Sequence, residues 1–448
     1  MTAAPLGAAV IAELQAAGVD TVIGTVVNPA GLTHAKTVPR GRIEVFAHPG
    51  LGASPVWHGF AIDQTGIAVT DNSGVVGDQR IRIDLAALRI IGAGLAWAPG
   101  AFFEQDGTPV PACSRGTLSR VEAALADAGI EAMVGHEIEF VLVNPDGSRL
   151  PSTLWAQYGL VGVLEHEAFV RDVTATATAA GVGIEQCHAE YGVNQFEIAL
   201  TPHSPVAAAD QLVLARIIVG RVARRHGLRV SLSPAPFADG VGSGAHQHFS
   251  LTKSGVPLLS GGPGAAGMTI DGEHALAGLL RGLPDAQGVL CGSIVSGLRM
   301  RPGNWAGAYA CWGIENREAA LRFVRGMPGA AYGSNIEVKV TDGSANPYFA
   351  SAAILGLALD GITQHVALAP ETTVDPATLL GADGDNRRIL PTAQSEAIAA
   401  LDNSRLMRGI LGDRVVDLTV AVRRVEQDRY AGLSPEQLAE KFRMAWSV

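Results

Sequence analysis

Cysteine is scarce in this 448-residue chain: Cys113, Cys187, Cys291 and Cys311 stand far apart and form no CxxC pair. Neither a disulfide framework nor a zinc knuckle is expected, and a reducing, cytoplasmic setting fits this usage. Charge is sparse too, at 17% of residues, and it leans acidic, with 33 Lys+Arg against 43 Asp+Glu. A net charge of −10 offers no basic face to a phosphate backbone, so nucleic-acid binding is not expected. Long apolar runs are missing. The stretch SAAILGLALDGI is broken by Asp360, and no run reaches the length of about 18 residues that spans a membrane. The N-terminal MTAAPLGAAVIAELQAAG holds Glu13 within its pattern and reads as an amphipathic helix, not a signal peptide. The Gly-rich SGGPGAAG lacks the Lys-Ser/Thr of a phosphate-binding P-loop. With 48% hydrophobic residues, the expectation is a soluble, membrane-free protein with a large core.

Residues 5–17 read as a helix, followed by short strands in TVIGTVVNP, GIAVTDN and RIRIDL. This small α+β unit ends in the Pro/Gly-rich AWAPGAFFEQDGTPVPAC. A helix in SRGTLSRVEAALADAG then opens at a Ser/Thr cap and closes at Gly. MVGHEIEFVLV reads as a strand, residues 163–181 and 205–226 as helices, and RVSLSP as strand again. Beyond residue 262, strands in AGAYACWG and NIEVKVTD alternate with helices in HALAGLLRGLPD and PYFASAAILGLALDGI. The tail from 390 is helical and polar.

The informative feature is acid set into apolar strands. Side chains two apart share one face of a strand. That places Glu137 with Glu139 in VGHEIEFVLV, His246 with His248 in GAHQHFSL, and Glu337 with Lys339 in NIEVKVTD. Glu190 and Glu197 flank a turn in HAEYGVNQFEIAL, with Gln195 on the face of Glu197. A single E-x-E is usually a solvated sheet face. Several such pairs together would bury unpaired carboxylates at high cost. Hard divalent cations are the usual remedy, since Mg²⁺ and Mn²⁺ take carboxylate oxygen with an occasional imidazole. Arg299, Arg301, Arg317 and Arg322 crowd the segment LRMRPGNWAGAYACWGIENREAALR. Guanidinium groups beside a carboxylate–metal cluster suit phosphoryl transfer, although Glu315 and Glu318 are available to pair one or two of them.

The segments GHEIEF, AEYGVNQFE, GSGAHQHFSL, RPGNWAGAYACWGIENREAALR and EVKVTDGSANPYFASAAIL, in this order, resemble the glutamine synthetase family, and most closely its branch that attaches glutamate to polyamines such as spermine. The resemblance implies an α+β fold. A β-grasp domain is expected over 1–108, and over 109–448 a catalytic domain built on a curved antiparallel half-barrel sheet with flanking helices. It implies an ATP-dependent ligase with roughly two to three Mg²⁺ or Mn²⁺ ions per active site. Glutamate, ATP and a polyamine would be its substrates, and a dodecamer of two hexameric rings its assembly. One metal site would use Glu139, Glu190 and Glu197, and a second Glu137, His246 and Glu337. ATP would meet Glu185, His248, Ser250, Arg317 and Arg322. Glutamate would meet Gly242, Arg299 and Lys339, with His246 holding both metal and substrate. Glu190 would act as base or cation partner, and residues 301–307 would form a flap. The chain departs from the common pattern at three places. Trp305 stands at the flap position that is Glu in ammonia-using members, Lys339 replaces Arg, and Val241 replaces Asn. The loss of the flap Glu argues against ammonia, and an indole suits an alkyl ammonium chain. Asp63 is the nearest acidic residue in the stretch where the family places an ammonium-binding Asp. Ammonia-dependent glutamine synthesis, a silent ring and an ATP-independent amidohydrolase are the rival readings.

Overall fold

The computed structural model describes residues 4–448 except 72, 153, 330–331 and 380–388. Strands β1 (Thr21–Val27), β2 (Thr33–Pro39), β3 (Leu51–Ala53), β4 (Gln79–Ile83), β5 (Arg89–Gly92) and β6 (Leu95–Phe103) form one sheet, in the order β2-β1-β6-β4-β3 with β5 on β6. β1 and β6 run parallel. The Pro-containing stretch expected to close this unit is instead its central strand, β6. Pro99 is tolerated because it sits at a handover: the register with β1 ends at Thr25↔Pro99, and from Gly100 onward β6 pairs with β4. GIAVTDN, expected as a strand, forms a loop. Among its described residues, only Ile67 keeps a bridge, to Phe60, and Val69 is 66% exposed. Side chains of Asp63 and Ser73 take up the N–H groups of Gly66 and Thr70 in place of a strand partner.

The second sheet holds β7 (Ile130–Val143), β8 (Ile184–Ala189), β9 (Gln195–Leu200), β10 (Arg229–Ser231), β11 (Gln247–Lys253), β12 (Val256–Pro257), β13 (Tyr309–Ile314), β14 (Ala319–Val324) and β15 (Asn335–Val338). Its path is β13-β14-β15-β11-β7-β9-β8, mostly antiparallel, curled into a half-barrel. Helices Ser114–Asp127 and Pro205–Arg225 pack on β7, and Pro347–Thr363 and Ile270–Leu290 extend this layer. The main core lies between helices and sheet, around Ile138, Phe140, Phe249, Ile336 and Phe349. Ser114 is the first helical residue and not a cap, because its hydroxyl donates to the Val27 carbonyl and ties the helix to β1 (2.9 Å). The helix expected in HALAGLLRGLPD extends at both ends, from Ile270 through Pro284 to Leu290. Leu283 and Ala286 on either side are fully buried, and their packing outweighs the lost backbone bond.

Near the C-terminus, Arg423 and Glu426 are buried and paired at 3.0 Å, and Arg423 also donates to the Pro29 carbonyl. This joins helix Asp413–Tyr430 to the turn after β1. Glu426→Ala leaves a buried guanidinium without its counter-charge and should cost about 3–5 kcal/mol in chemical denaturation. A loss under about 1 kcal/mol would show that the pair is solvated.

Candidate active site

β7 alternates: His136, Ile138 and Phe140 turn into the helical core, while Glu137 and Glu139 face the other way. The register then assembles the polar face. Glu139 stands opposite Glu197, which stands opposite His188. In a second row, Arg322 is opposite Glu337 and Glu337 is opposite His248. Opposed residues on neighbouring strands lie about 5 Å apart at Cβ. Glu137 joins the rows: its Oε2 is 2.8 Å from His246 Nδ1 and its Oε1 3.3 Å from His248 Nε2. His246 Nδ1 also lies 3.3 Å from Glu337, and His246 Nε2 3.7 Å from Glu139. Among the described residues, three sets have ligand atoms close enough to share an ion: Glu137–His248–Glu337, Glu137–Glu197–His246 and His188–Glu190–Glu197.

All six residues expected as metal ligands therefore gather on one face, partnered somewhat differently from the expectation. His248, expected at ATP, sits in a metal-capable set, and His188 joins without having been singled out. His188 lies on β8 two residues before Glu190, which follows the strand's end, so extending the alternation back from Glu190 could have found it. Glu139 is steadied by the Gly244 N–H at 2.8 Å and by Gln195 Nε2 at 3.2 Å. Tyr158, also missed, stacks its ring on His188 from a left-handed backbone position (φ 55°) in a loop with no sequence periodicity to flag it.

The residues expected at glutamate surround His246. Arg299 is buried, donates to the carbonyls of Val340 and Lys339, and brings Nη2 to 3.2 Å from His246 Nε2. A side chain at Gly242 would meet the Arg299 Cγ at 2.6 Å, so the loop needs glycine to pass this close. Lys339 Nζ is 3.2 Å from Glu337. Of the residues expected at ATP, Arg322 bridges Glu337 (3.1 Å) and Glu315 (2.6 Å), whereas Arg317 is exposed. Ser250 shares the His248 face of β11, and Glu185 accepts from Thr201 and Tyr332 farther out. Trp305 is 48% exposed in the 301–307 segment. Asp63 is not free to meet a substrate, since Tyr430, Arg429 and the Gly66 and Thr65 amides occupy its carboxylate.

The electrostatics show how tightly these groups interact. Burial and the charges of Glu137, Glu139, Glu190 and Glu337 push the Glu197 carboxyl well above the usual carboxylate range. Burial would raise Glu337 as well, but the Lys339 ammonium and the two histidines outweigh it and hold the group at about 2. His248 is lifted to about 9 by Glu137 against the effect of burial. Its buried Nε2 faces Glu137 Oε1 at 3.3 Å. An oxygen-rich set with imidazole nitrogens, crowded enough with acid to raise the Glu197 carboxyl, fits hard divalent cations. Glu137, Glu139, Glu190, Glu197, His246, His248 and Glu337 would hold them.

Residues 111–439 match the model of the glutamine synthetase catalytic domain. The chain belongs to the glutamine synthetase family. It is 38% identical over 440 residues to the gamma-glutamylpolyamine synthetase GlnA3 of Streptomyces coelicolor, covering 96% of this chain and 94% of that protein. It is 31% identical to the glutamine synthetase of Pyrococcus abyssi, covering 70% of this chain and 71% of that protein. A crystal structure of a novel glutamine synthase homolog superposes with a TM-score of 0.85 at 28% identity, covering 96% of this chain and 99% of that one. The chain is thus a ligase of glutamine synthetase type, a family that uses ATP, divalent metals, glutamate and an amine. No helix among the described residues is long and apolar enough to cross a membrane.

Metal and proton compete at Glu197. The protonated carboxyl favours the metal-free fold at low pH, and that contribution is lost as pH rises through its raised value. Mn²⁺ should therefore raise the thermal midpoint more at pH 8 than at pH 6, and Glu197→Gln should flatten the difference. Equal Mn²⁺ shifts at both pH values in the unmodified protein would contradict the assignment.

Proposed function

We propose that this enzyme joins the side-chain carboxylate of glutamate to a polyamine such as spermine, through a γ-glutamyl phosphate formed at the expense of ATP. The observation that carries this reading is the clustering of Glu137, Glu139, Glu190, Glu197 and Glu337 with His246 and His248, beside Arg322 and Lys339. Bound Mg²⁺ or Mn²⁺ would neutralise phosphate oxygens there. Arg322 and Arg317 would steady the transferring phosphoryl group, with Glu185, His248 and Ser250 lining the nucleotide side. Lys339 and Gly242 would receive glutamate. Arg299, already holding the Lys339 and Val340 carbonyls, would fix the shape of that pocket.

The acyl-phosphate is an activated anhydride, so water must be kept from it while the amine enters. Glu190, hydrogen-bonded to His188 at 3.0 Å, would take up the proton that the ammonium must lose before its nitrogen attacks. Trp305 supports a polyamine over ammonia. Its exposed indole offers an alkyl ammonium chain an apolar wall and a cation–π surface, worth about 0.5–2 kcal/mol. The similarity to GlnA3 over almost the whole chain points to the same substrate class. The same reading divides the chain into an N-terminal unit at 1–108 and a catalytic unit at 109–448. It assembles the subunits as two stacked hexameric rings, which a native mass measurement would check.

ATP- and glutamate-dependent phosphate release should be faster with spermine than with ammonium across an amine panel. Trp305→Glu should lower the spermine-to-ammonium ratio of kcat/KM by about ten-fold, the equivalent of about 1.4 kcal/mol. Ammonium as the best substrate of the unmodified enzyme would replace this reading by glutamine synthesis.

A further inference from the structure

The flap has an anchor that the reaction as described does not use. Between Arg301 and Gly307 the backbone takes three left-handed positions: Gly303 at φ 79°, Trp305 at 53° and Gly307 at 73°. Glycine adopts such angles freely, whereas tryptophan does so at a cost of about 1–3 kcal/mol. The surroundings must hold Trp305 there, and one side chain does so. Glu318, at the foot of β14, accepts the Trp305 N–H on Oε1 at 3.0 Å. Glu318 is only 8% exposed, and its Oε2 is buried with no hydrogen-bond partner. Burial pushes its pKa up.

An oxygen that is dry and unpaired is expensive while the segment lies down on it, and water satisfies it once the segment lifts. The closed flap is thus held by one strong acceptor and opposed by two costs, the strained tryptophan and the stranded oxygen. Such a balance suits a part that must close for the acyl-phosphate and open for the amine. The anchor is also near the chemistry. The flap's return passes so close to Lys339 that a side chain at Gly307 would meet the Lys339 Cβ at 2.9 Å. The Lys339 backbone N–H in turn bonds to the Ala320 carbonyl, two residues beyond Glu318.

We propose that Glu318 is a positioning residue, the latch that holds the 301–307 flap closed and sets the indole of Trp305 toward the amine's path. The kinetic consequences rest on the amide-forming reading above, but the latch itself does not. The test compares the full-length enzyme with Glu318→Ala, Glu318→Asp and Glu318→Gln. Backbone hydrogen exchange is measured over 301–307, together with phosphate released per amide formed. Glu318→Ala should speed flap exchange about ten-fold while peptides from β14 and β15 stay protected. It should also raise phosphate release per amide and the KM for the amine, with the KM values for ATP and glutamate within about two-fold. Glu318→Asp, one methylene shorter, should fall in between and serves if the alanine variant does not fold. Glu318→Gln keeps an oxygen for the Trp305 N–H and should match the unmodified enzyme. Unchanged flap exchange in both shortened variants, or a Gln variant that behaves like Ala, would overturn the latch. Absence of amide formation by the unmodified enzyme would overturn the functional reading alone, and the exchange data would still decide on Glu318.

Discussion

Carboxylates opposed across a β-ladder repel, and β7 and β9 hold Glu139 and Glu197 in that relation on a sheet whose other face is locked into the helical core. Glu139 cannot back away from Glu197 without breaking the register that buries Ile138 and Phe140. The polar face is therefore built under electrostatic load, and most of its neighbours answer that load. His246, His248 and Lys339 hold the Glu137 and Glu337 carboxyls below the usual carboxylate range, while burial and the neighbouring acids push Glu197 above it. The cost of assembling these acids is offset in part by internal cations and is left for divalent ions to complete. With divalent ions bound, the same arrangement would attract a highly charged phosphate substrate.

Rigid and movable parts divide the work. The metal-capable groups and the glutamate-side residues sit on strands or on a loop braced by Arg299 and Gln195, where small displacements are resisted. The side proposed to receive the amine is made of turns: Tyr158 stacked over His188, and the flap with Trp305. Phosphoryl transfer needs fixed geometry, whereas an amine has to enter late and without water. A latch at the junction of the two regions, Glu318 at the foot of β14, couples the flap to the sheet that carries Lys339 and Glu337.

Much of the site was readable in the sequence because it lies on strands. Period-two alternation put Glu137 beside Glu139 and His246 beside His248, and applied once more it would have added His188. Pairing across strands is a property of register, so which acids share an ion could not be read from spacing alone. His248 faces Glu137 and Glu337 for that reason. In the fold, the helical stretches were legible from their apolar pattern, but β6 was hidden by Pro99, whose tolerance depends on a change of partner strand at that residue. GIAVTDN looked like a strand and is a loop, because Asp63 and Ser73 offer its backbone local partners. Glu318 read as a surface partner for arginine. Only three-dimensional packing shows it beneath the flap.

The central claim is that this polar face is a multinuclear divalent site. Titrating the purified enzyme with Mn²⁺ and counting bound ions by electron paramagnetic resonance tests it most directly. The account predicts roughly two to three ions per chain, with spin coupling between neighbours and loss of at least one ion in Glu137→Ala. No binding beyond that of the Glu137→Ala protein would contradict it.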